Sequence, residues 1–345
     1  MVWRHDPATG LRVIFAIHDI TLGPAAGGCR RWCYRDDRAA LGDVTRLAHG
    51  MTYKNALAGI PFGGGKSVIL ARPGEAITDA HLEVFGQWVE ELDGEYVTAE
   101  DVGMRVRDMV RVARETRYVT GIGKNGLGGD PGPKTAHGVY LGIRIVAERL
   151  GISKLCSLAV AIQGLGNVGM SLCEALHRAG VRLVVADIDP QKAAYAARRF
   201  GASVVHVDEI LMAEVDVLAP CALGGVITVE LATNMRAHAI GGSANNQLAT
   251  AEVGHILHDR RVLYAPDYVI NAGGVISVAN EYLGRRGAEA QIAEIECRLQ
   301  RIFEASDAQR EPTNVVADTM AREVLMAVGA VGGQRTASSS ASSPG

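Results

Sequence analysis

The order of apolar and polar positions along the chain predicts alternating strands and helices. Residues 11–20 (LRVIFAIHDI) alternate apolar with polar side chains, which is typical of a half-buried β-strand. Residues 41–59 (LGDVTRLAHGMTYKNALAG) place apolar side chains three and four positions apart, which predicts a helix. A second helix is predicted over residues 77–94, between a Thr/Asp start and a Gly stop. Two glycine-rich stretches, 23–30 (GPAAGGCR) and 63–66 (GGGK), are predicted to be turns.

After the Gly- and Pro-rich loop 121–134, the pattern becomes a regular alternation of short apolar strands with helices. The strands are predicted at SLAVAIQG, VRLVVAD, ASVVHV, VDVLAP, AHAIGG and RVLYAP. Such alternation requires crossover connections and therefore a parallel, doubly wound sheet. We predict an α/β protein of two domains with a cleft between them, namely residues 1–133 with the C-terminal helix 313–333, and a Rossmann-type domain over residues 134–312. The small, polar tail 334–345 is predicted to be disordered.

Composition and charge exclude several classes of partner. The 345 residues are 48% hydrophobic with a formal net charge of -3, and no apolar run is long enough to span a bilayer. We therefore expect neither nucleic acid nor a membrane as a partner. The six cysteines are scattered and no secretory signal precedes them, which favours a cytoplasmic protein with reduced thiols. Cys29 and Cys33 have no second pair or nearby histidine in the sequence, so no metal site is predicted.

The stretch AGIPFGGGKSVIL, residues 58–70, has three glycines directly before Lys66, as a phosphate-binding loop does. That loop needs a further glycine five positions before Gly65, where this chain has Ile60. It also follows a strand and opens a helix, whereas here a predicted helix precedes the glycines and a predicted strand follows them. A phosphate-loop ATPase therefore remains only an alternative that nucleotide hydrolysis would reopen, and Lys66 needs another role.

The segment QGLGNVG has the glycine spacing of a dinucleotide-binding turn at Gly164, Gly166 and Gly169. A predicted strand precedes it, a predicted helix begins inside it, and Asp187 ends the next strand about 20 residues on. Gly164 permits the tight turn, Gly166 lets the pyrophosphate approach the backbone, and Gly169 lets helix and strand pack closely. A carboxylate at Asp187 accepts hydrogen bonds from both ribose hydroxyls but repels a 2′-phosphate, which favours NAD over NADP.

Eight segments resemble the amino acid dehydrogenase family, which includes the glutamate, leucine, phenylalanine and valine dehydrogenases. In order, they are TLGPAAGG, MTYKNALAG, GGGKSVI, YVTAEDVG, QGLGNVG, APCALGG, GSANNQL and YAPDYVINAGGVISVANE. They cover almost the whole chain, and the leucine type has the nearest pattern. The resemblance implies reversible, NAD-dependent oxidative deamination of an L-amino acid to a 2-oxo acid and ammonia, by a homo-oligomer. The family usually has a helix and a strand before the first strand predicted here, a piece that helps subunits associate.

The resemblance also implies a role for each matching residue. Lys54 holds the substrate carboxylate, Lys66 is the catalytic lysine and Asp101 shuttles protons. Asn246 lies near the substrate amino group and the nicotinamide. The other substrate-side positions are Gly27, Gly28, Ala26, Ala99, Val275 and Val278. The other cofactor-side positions, besides the three glycines and Asp187, are Leu165, Asn167, Val168, Thr135, Cys221 and Ala222.

The implied site uses its two lysines differently. A second ammonium nearby and a partly closed cleft disfavour the charged form of Lys66, so we expect its neutral amine to act as a base. Lys54 stays charged because it pairs with the substrate carboxylate. After hydride leaves Cα, we expect Lys66 to deliver water to the iminium and Asp101 to pass protons while the carbinolamine collapses.

Ala26 decides the expected substrate class. Glutamate dehydrogenases have a lysine at this position that pairs with the side-chain carboxylate, so an acidic substrate finds no countercharge here. Ala99, Val275 and Val278 are apolar, which favours leucine, valine or isoleucine. The leucine type has leucine where this chain has Ala26, and the space gained leaves methionine, phenylalanine or tryptophan open as alternatives. A catalytically inactive NAD-binding sensor or assembly protein is the alternative from another class.

Overall fold

The chain divides into two compact units in the computed structural model, which describes residues 1–123 and 126–339. Unit 1 comprises Met1–Asp130, Val278–Arg286 and the chain from Met320 onward. Unit 2 comprises Pro131–Ser277 and Gly287–Thr319. Each unit contains its own β-sheet.

The first five strands of the chain form the sheet of unit 1. They are β1 (Val2–His5), β2 (Arg12–Asp19), β3 (Ala25–Trp32), β4 (Gly63–Leu70) and β5 (Tyr96–Glu100). Their spatial order is β1-β2-β4-β3-β5, with β2 antiparallel to both of its neighbours and β3 parallel to β4 and β5. Because β3, β4 and β5 run in one direction, their C-terminal ends lie at the same edge of the sheet.

The first three helices of the chain lie in unit 1. They are α1 (Asp37–Ala58), α2 (Asp79–Glu90) and α3 (Val106–Val112). The Asp36 side chain caps the first turn of α1, and Gly59 ends that helix in the left-handed conformation with φ 67°. Thr78 forms a capping box at the start of α2. The helices predicted over 41–59 and 77–94 are therefore confirmed.

The two glycine-rich stretches lie mainly within strands β3 and β4, so the prediction of two turns is wrong. A Cβ atom on Gly64 would lie 2.0 Å from the Thr52 hydroxyl of α1. One on Gly27 would lie 1.9 Å from the carbonyl oxygen of Gly65. Glycine is required here because backbone approaches backbone, and strand pairing overrides the tendency of glycine to form turns. Lys66 lies within β4, which α1 precedes, and this order is opposite to that of a phosphate-binding loop.

The next six strands form the sheet of unit 2. They are β6 (Ala159–Gln163), β7 (Arg182–Ala186), β8 (Ser203–Val204), β9 (Val217–Pro220), β10 (Ala239–Ile240) and β11 (Leu263–Tyr264). All neighbouring pairs are parallel, in the order β11-β10-β9-β6-β7-β8. The order reverses between β6 and β9, which is the switch point of a doubly wound nucleotide-binding fold. The predicted Rossmann-type sheet is therefore confirmed.

The remaining described helices all begin in unit 2. They are α4 (Gly132–Arg149), α5 (Asn167–Arg178), α6 (Pro190–Phe200), α7 (Val229–Asn234), α8 (Ala251–Asp259), α9 (Asp267–Ile270), α10 (Gly273–Tyr282), α11 (Ala288–Gln309) and α12 (Thr313–Ser339). Helix α4 packs against α5 and α11. Apolar side chains of α7 and α8, among them Leu231, Val253 and Leu257, pack on Leu218 and Ile240 of the sheet. Burial of these side chains provides the main stabilisation of the unit.

Two helices extend across the predicted domain limits. Helix α10 continues into Val278–Arg286, a segment within the predicted domain 134–312 that groups with unit 1. Helix α12 joins unit 1 from Met320 onward and continues to Ser339, so it includes residues 334–339 of the predicted disordered tail. Residues 340–345 of that tail lie outside the described residues.

Candidate active site

Lys66 and Asp101 form a buried ion pair in unit 1. Lys66 lies in the middle of β4, and Asp101 directly follows β5. The Lys66 Nζ atom is 2.9 Å from Asp101 Oδ2, and the two side chains are 6% and 16% exposed. The two residues expected to be catalytic therefore lie in contact, because β4 and β5 both flank β3 in the sheet.

Asp101 also contacts a second cation. Arg30 of β3 donates from Nε to the same Oδ2 atom, at 3.1 Å. Burial alone would raise the pKa of Asp101, but the charges of Lys66 and Arg30 lower it to about 2. At neutral pH the carboxylate is therefore ionised and able to accept a proton.

Lys66 has a carboxylate as its partner, whereas the sequence led us to expect a second ammonium beside it. Lys54, the expected second ammonium, lies on α1 in the same unit and is half-buried. Its contact with a substrate carboxylate stays a prediction.

The backbone of Gly27 and Gly28 lies close to this ion pair. A Cβ atom on Gly28 would lie 2.9 Å from Cβ of Asp101 and 2.5 Å from the Glu100 carbonyl oxygen. The Tyr96 hydroxyl donates to the Gly27 carbonyl oxygen at 2.5 Å inside the sheet. The glycines thus bring the β3 backbone up to Asp101, and no larger residue fits at either position.

Three small apolar residues of the expected pocket also lie in unit 1. Ala26 of β3 and Ala99 of β5 are half-buried, and Ala26 is next to Gly64 and Val97 in strand register. Val278 is held by the Thr120 hydroxyl, which donates to its carbonyl oxygen at 2.6 Å. Contact of these residues with a substrate stays a prediction.

The glycine turn of unit 2 has the geometry that a pyrophosphate needs. Gly164 is left-handed with φ 92°, and a Cβ atom there would lie 2.7 Å from that of Ala222. One on Gly169 would lie 2.0 Å from the Gly164 carbonyl oxygen. Gly166 is the N-cap of α5, and a Cβ atom there would meet nothing within 4 Å. The chain thus leaves open space at the one glycine beside the helix N-terminus, where a phosphate is stabilised.

Asp187 directly follows β7, and its carboxylate is hydrogen-bonded to the backbone of this turn. Its Oδ2 atom accepts a hydrogen bond from the Leu165 N–H at 2.6 Å, and its Oδ1 atom accepts one from the Asp189 N–H at 2.8 Å. The carboxylate is therefore fixed at the end of the strand next to the turn, as the dinucleotide pattern requires. Asn167 and Val168 form the first turn of α5. These residues fit a bound NAD, and the ribose contacts of Asp187 stay a prediction.

A second loop of unit 2 adjoins the glycine turn. Cys221 directly follows β9, donates its N–H to the Gln163 carbonyl oxygen at 2.7 Å and has its thiol pKa raised by burial. Ala222 packs on Gly164. Asn246 is left-handed with φ 53° and accepts at its carbonyl oxygen from the Gly225 N–H at 2.7 Å. The structure thus brings the expected cofactor residues of four separate segments together.

Thr135 and Val275 lie on two other helices of unit 2. The Thr135 hydroxyl on α4 donates to the Pro131 carbonyl oxygen at 2.9 Å, and a Cβ atom on Gly274 would lie 2.4 Å from that hydroxyl. Gly274 thus lets α10 approach α4 closely, next to the half-buried Val275. The predicted roles of Thr135 and Val275 toward ligands remain untested.

The sequence analysis missed the residues that hold the loop around Asn246. The buried Asp267 accepts hydrogen bonds from the Gln247 N–H at 3.0 Å and from the Tyr264 hydroxyl at 2.8 Å. Asn271 donates from its side chain to the Ser243 carbonyl oxygen at 3.0 Å. They stand within the segments GSANNQL and YAPDYVINAGG, so their polar character inside an apolar stretch was the available signal. Arg30 was missed as well, and its signal is the strand register of β3 against β5.

Neither a metal-binding cluster nor a membrane-spanning helix is found in the part of the chain that the structure describes. There, no group of three or more His, Cys, Asp or Glu side chains is arranged to hold a metal ion. Among the helices of residues 1–123 and 126–339, none has the length and apolar character needed to cross a membrane.

Comparison with known proteins identifies the family. Residues 3–118 match the Glu/Leu/Phe/Val dehydrogenase dimerisation domain, and residues 190–332 match the Glutamate/Leucine/Phenylalanine/Valine dehydrogenase model. The leucine dehydrogenase of Geobacillus stearothermophilus is 47% identical over 94% of this chain and 89% of its own. The L-tryptophan dehydrogenase of Nostoc punctiforme is 44% identical over 94% of this chain and 92% of its own.

A solved structure shares the complete fold. The crystal structure of L-tryptophan dehydrogenase from Nostoc punctiforme matches with a TM-score of 0.80 and 41% identity, over 95% of each chain. The chain therefore belongs to the glutamate/leucine/phenylalanine/valine dehydrogenase family and is an NAD-dependent amino acid dehydrogenase that acts on a CH–NH2 group.

Proposed function

We propose that the protein catalyses the reversible oxidative deamination of an apolar L-amino acid of the leucine, valine or isoleucine type to its 2-oxo acid and ammonia. The observation that carries the proposal is the buried contact between Lys66 and Asp101, at 2.9 Å. The similarity to leucine dehydrogenases, at 47% identity in one case, supports the substrate type. Unit 1, with the ion pair, is the proposed substrate-binding part, and unit 2, with the glycine turn, is the proposed NAD-binding part.

The proposed chemistry assigns a task to each charged residue. NAD, when bound, accepts the hydride that leaves Cα of the amino acid. Lys54 binds the substrate carboxylate. Lys66, an ammonium in the resting ion pair, first passes a proton to Asp101 and then, as a neutral amine, takes a proton from the water that attacks the iminium carbon. Asp101 starts as an ionised acceptor, since its pKa is about 2, and exchanges the proton with Lys66 until the leaving amine needs it. Burial of the pair keeps other water away from this exchange.

The side-chain pocket is proposed to select against acidic substrates. Ala26 is uncharged, so a carboxylate placed beside it would be desolvated without a countercharge. Ala99 and Val278 add small apolar surface in the same unit. An aromatic substrate is a second candidate, because the chain is 44% identical to an L-tryptophan dehydrogenase and Ala26 leaves room for a larger side chain.

The first test is NADH formation at alkaline pH with leucine, valine, isoleucine, methionine, phenylalanine, tryptophan and glutamate. We expect the highest kcat/KM with an aliphatic substrate and very little rate with glutamate. A best rate with phenylalanine or tryptophan would establish the second candidate. Failure of every amino acid to reduce NAD would refute the proposed function.

The catalytic assignment is tested with Lys66→Ala on the best substrate. We expect kcat to fall by about 100-fold to 10,000-fold, which is the usual contribution of a general acid or base. Lys154→Ala removes an exposed lysine and serves as the control, with kcat unchanged. Near-normal turnover of Lys66→Ala would remove Lys66 from the mechanism.

We also infer a homo-oligomer in solution. The model that matches residues 3–118 describes a dimerisation domain, which supports self-association of unit 1. Light scattering on the purified protein is expected to give a multiple of 36.5 kDa. A monomer mass across the concentrations used in the assay would refute this inference.

The cytoplasm is the proposed location. All six cysteines are free thiols, three of them exposed, which suits a reducing compartment. Cell fractionation is expected to recover the protein with cytoplasmic markers, and recovery with an oxidising compartment would refute the proposal.

A further inference from the structure

Arg30 bridges two carboxylates in unit 1. It lies near the end of β3, and its side chain is 18% exposed. The guanidinium donates from Nε to Asp101 Oδ2 at 3.1 Å and from Nη1 to Asp43 Oδ2 at 3.0 Å. Burial lowers the pKa of Arg30, but the charges of Asp101 and Asp43 outweigh this and raise it. Arg30 thus remains a cation beside the proposed catalytic pair.

Asp43 is itself held by two partners besides Arg30. It lies on α1, and its Oδ2 atom accepts a hydrogen bond from the Tyr34 hydroxyl at 2.7 Å. Its Oδ1 atom pairs with Arg46 at 2.8 Å. The two partners hold the carboxylate in one orientation, so that Arg30 contacts a fixed acceptor.

A series of ion pairs therefore connects the exposed Arg46 with the buried Lys66. Its members in order are Arg46, Asp43, Arg30, Asp101 and Lys66. Lysine is a flexible donor with a point charge, whereas the planar guanidinium of arginine has donors in fixed directions. Arg30 is thus the partner that can set the plane of the Asp101 carboxylate, and Lys66 is the partner that can move during a reaction.

We propose that Arg30, anchored by Asp43, is a positioning residue that holds the Asp101 carboxylate against Lys66 and supplies the second positive charge it needs there. The inference rests on the proposed function for its kinetic part. Arg30 touches neither substrate nor cofactor in this proposal and acts through Asp101. Both cations donate to one oxygen atom, so loss of Arg30 removes one of the two positive charges that contact the buried carboxylate.

The charged and titratable groups that face Asp101 come from three strands. They are Lys66 of β4, Cys29 and Arg30 of β3, and Tyr96 and Glu100 of β5, with Tyr34 and Asp43 behind Arg30. The thiol and the phenols are uncharged at neutral pH, since burial raises the pKa of Cys29, Tyr96 and Tyr34. Glu100 is an acid and opposes ionisation of its neighbour. The stabilising charges are therefore those of Lys66 and Arg30.

The test reads the ionisation of Asp101 directly and without turnover. The carboxylic-acid infrared band of Asp101 is followed during a pH titration of the full-length enzyme, and its absence in Asp101→Asn identifies it. Loss of an opposite charge at this distance is expected to shift a carboxyl pKa by about 1–3 units. In Arg30→Met the band should therefore appear at least about one pH unit higher than in the wild type.

Three further variants distinguish a positioning role of Arg30 from a general loss of folding stability. Arg30→Lys keeps the charge and is expected to recover part of the shift. Arg30→Met combined with Asp43→Asn removes both ends of the inner ion pair, so that no unpaired Asp43 is left to unfold the protein. Arg12→Met breaks the exposed pair with Asp37 in the same unit and should leave the titration unchanged.

Kinetics supplies the second readout. For Arg30→Met we expect kcat to fall at least about tenfold while KM for the amino acid changes less than about threefold, because the residue acts on the catalytic pair and not on substrate binding. An Asp101 titration equal to that of the wild type would overturn the proposal, and so would a shifted titration with unchanged kcat. The infrared result stands even if the amino acid panel fails, so it is independent of the proposed function.

Discussion

The Tyr96 hydroxyl donates a hydrogen bond to the Gly27 carbonyl oxygen, at 2.5 Å, between two neighbouring strands of unit 1. Tyr96 is fully buried, and the Ser67 hydroxyl lies 3.1 Å from the same phenol oxygen. Burial raises the pKa of Tyr96 above its ordinary value, so the phenol keeps its proton at neutral pH and remains a donor. The contact fixes the β3 backbone directly before Gly28 and the ion pair.

Tyr96→Phe is expected to lower the free energy of unfolding by about 1–3 kcal/mol, because the Gly27 carbonyl then stays buried without this donor. Urea unfolding followed by circular dichroism measures the change. Tyr195→Phe removes a phenol from a side chain that is 47% exposed and should change stability by less than about 0.5 kcal/mol. Equal stability of the two variants would contradict the importance of the buried contact.

Gly169→Ala and Gly166→Ala change the same turn, but we expect them to differ in their effect on folding stability. The first places a Cβ atom 2.0 Å from a carbonyl oxygen and should lower both stability and NADH affinity. The second meets nothing within 4 Å, so it should fold with a loss of less than about 1 kcal/mol, yet bind NADH at least about tenfold more weakly.

NADH fluorescence titration and thermal unfolding, applied to both glycine variants, check this separation. Full NADH affinity in Gly166→Ala would show that the open space beside the helix N-terminus is not used by the pyrophosphate. Unchanged stability of Gly169→Ala would contradict the close packing at that glycine.

Asp101 should make folding stability depend on pH in the acid range. Its folded pKa of about 2 is below the ordinary 3.8, so it contributes stability that is fully present above the unfolded value and is lost as pH falls through the folded one. The contribution is about 2 kcal/mol. The difference in unfolding free energy between wild type and Asp101→Asn is therefore expected to shrink between pH 5 and pH 2, and a constant difference would contradict the ionised pair.

Ala26→Leu is expected to move substrate preference toward smaller side chains. The added carbons fill space at the proposed pocket, and one methylene in such a pocket is worth about 1–3 kcal/mol. The ratio of kcat/KM for phenylalanine to that for valine should fall at least about tenfold. Ala80→Leu, on the exposed side of α2, is the control. An unchanged ratio would place Ala26 outside the pocket.

Much of the fold could be predicted because its signals are local. The helix over Asp37–Ala58 has an aspartate before it and a glycine after it, and the strands of unit 2 lie in short, mainly apolar runs. The dinucleotide turn is equally local, since three glycines and Asp187 stand at fixed spacing. These features depend on residues that are close together along the chain, so they can be recognised in a single sequence.

The features that could not be predicted depend on neighbours in space. Gly27 and Gly64 favour turns by themselves, and only the contacts with Gly65 and Thr52 show why a strand needs them. The contact between Arg30 and Asp101 follows from the pairing of Cys29 with Glu100 across β3 and β5. Register of this kind is set by the whole sheet, and no short pattern in the sequence encodes it.

The glycines of β3 and β4 limit how the enzyme could be redesigned. At Gly27, Gly28, Gly63, Gly64 and Gly65 an added Cβ atom would lie between 1.9 and 2.9 Å from its nearest neighbour. The neighbouring atoms leave no room for a side chain at any of the five glycines, so a mutant library has no tolerated replacement to offer at these positions. We expect diversity introduced there to yield mostly unfolded chains, whereas Ala26 and Ala99, the proposed pocket residues beside the same glycines, are the positions at which we expect a library to change the substrate.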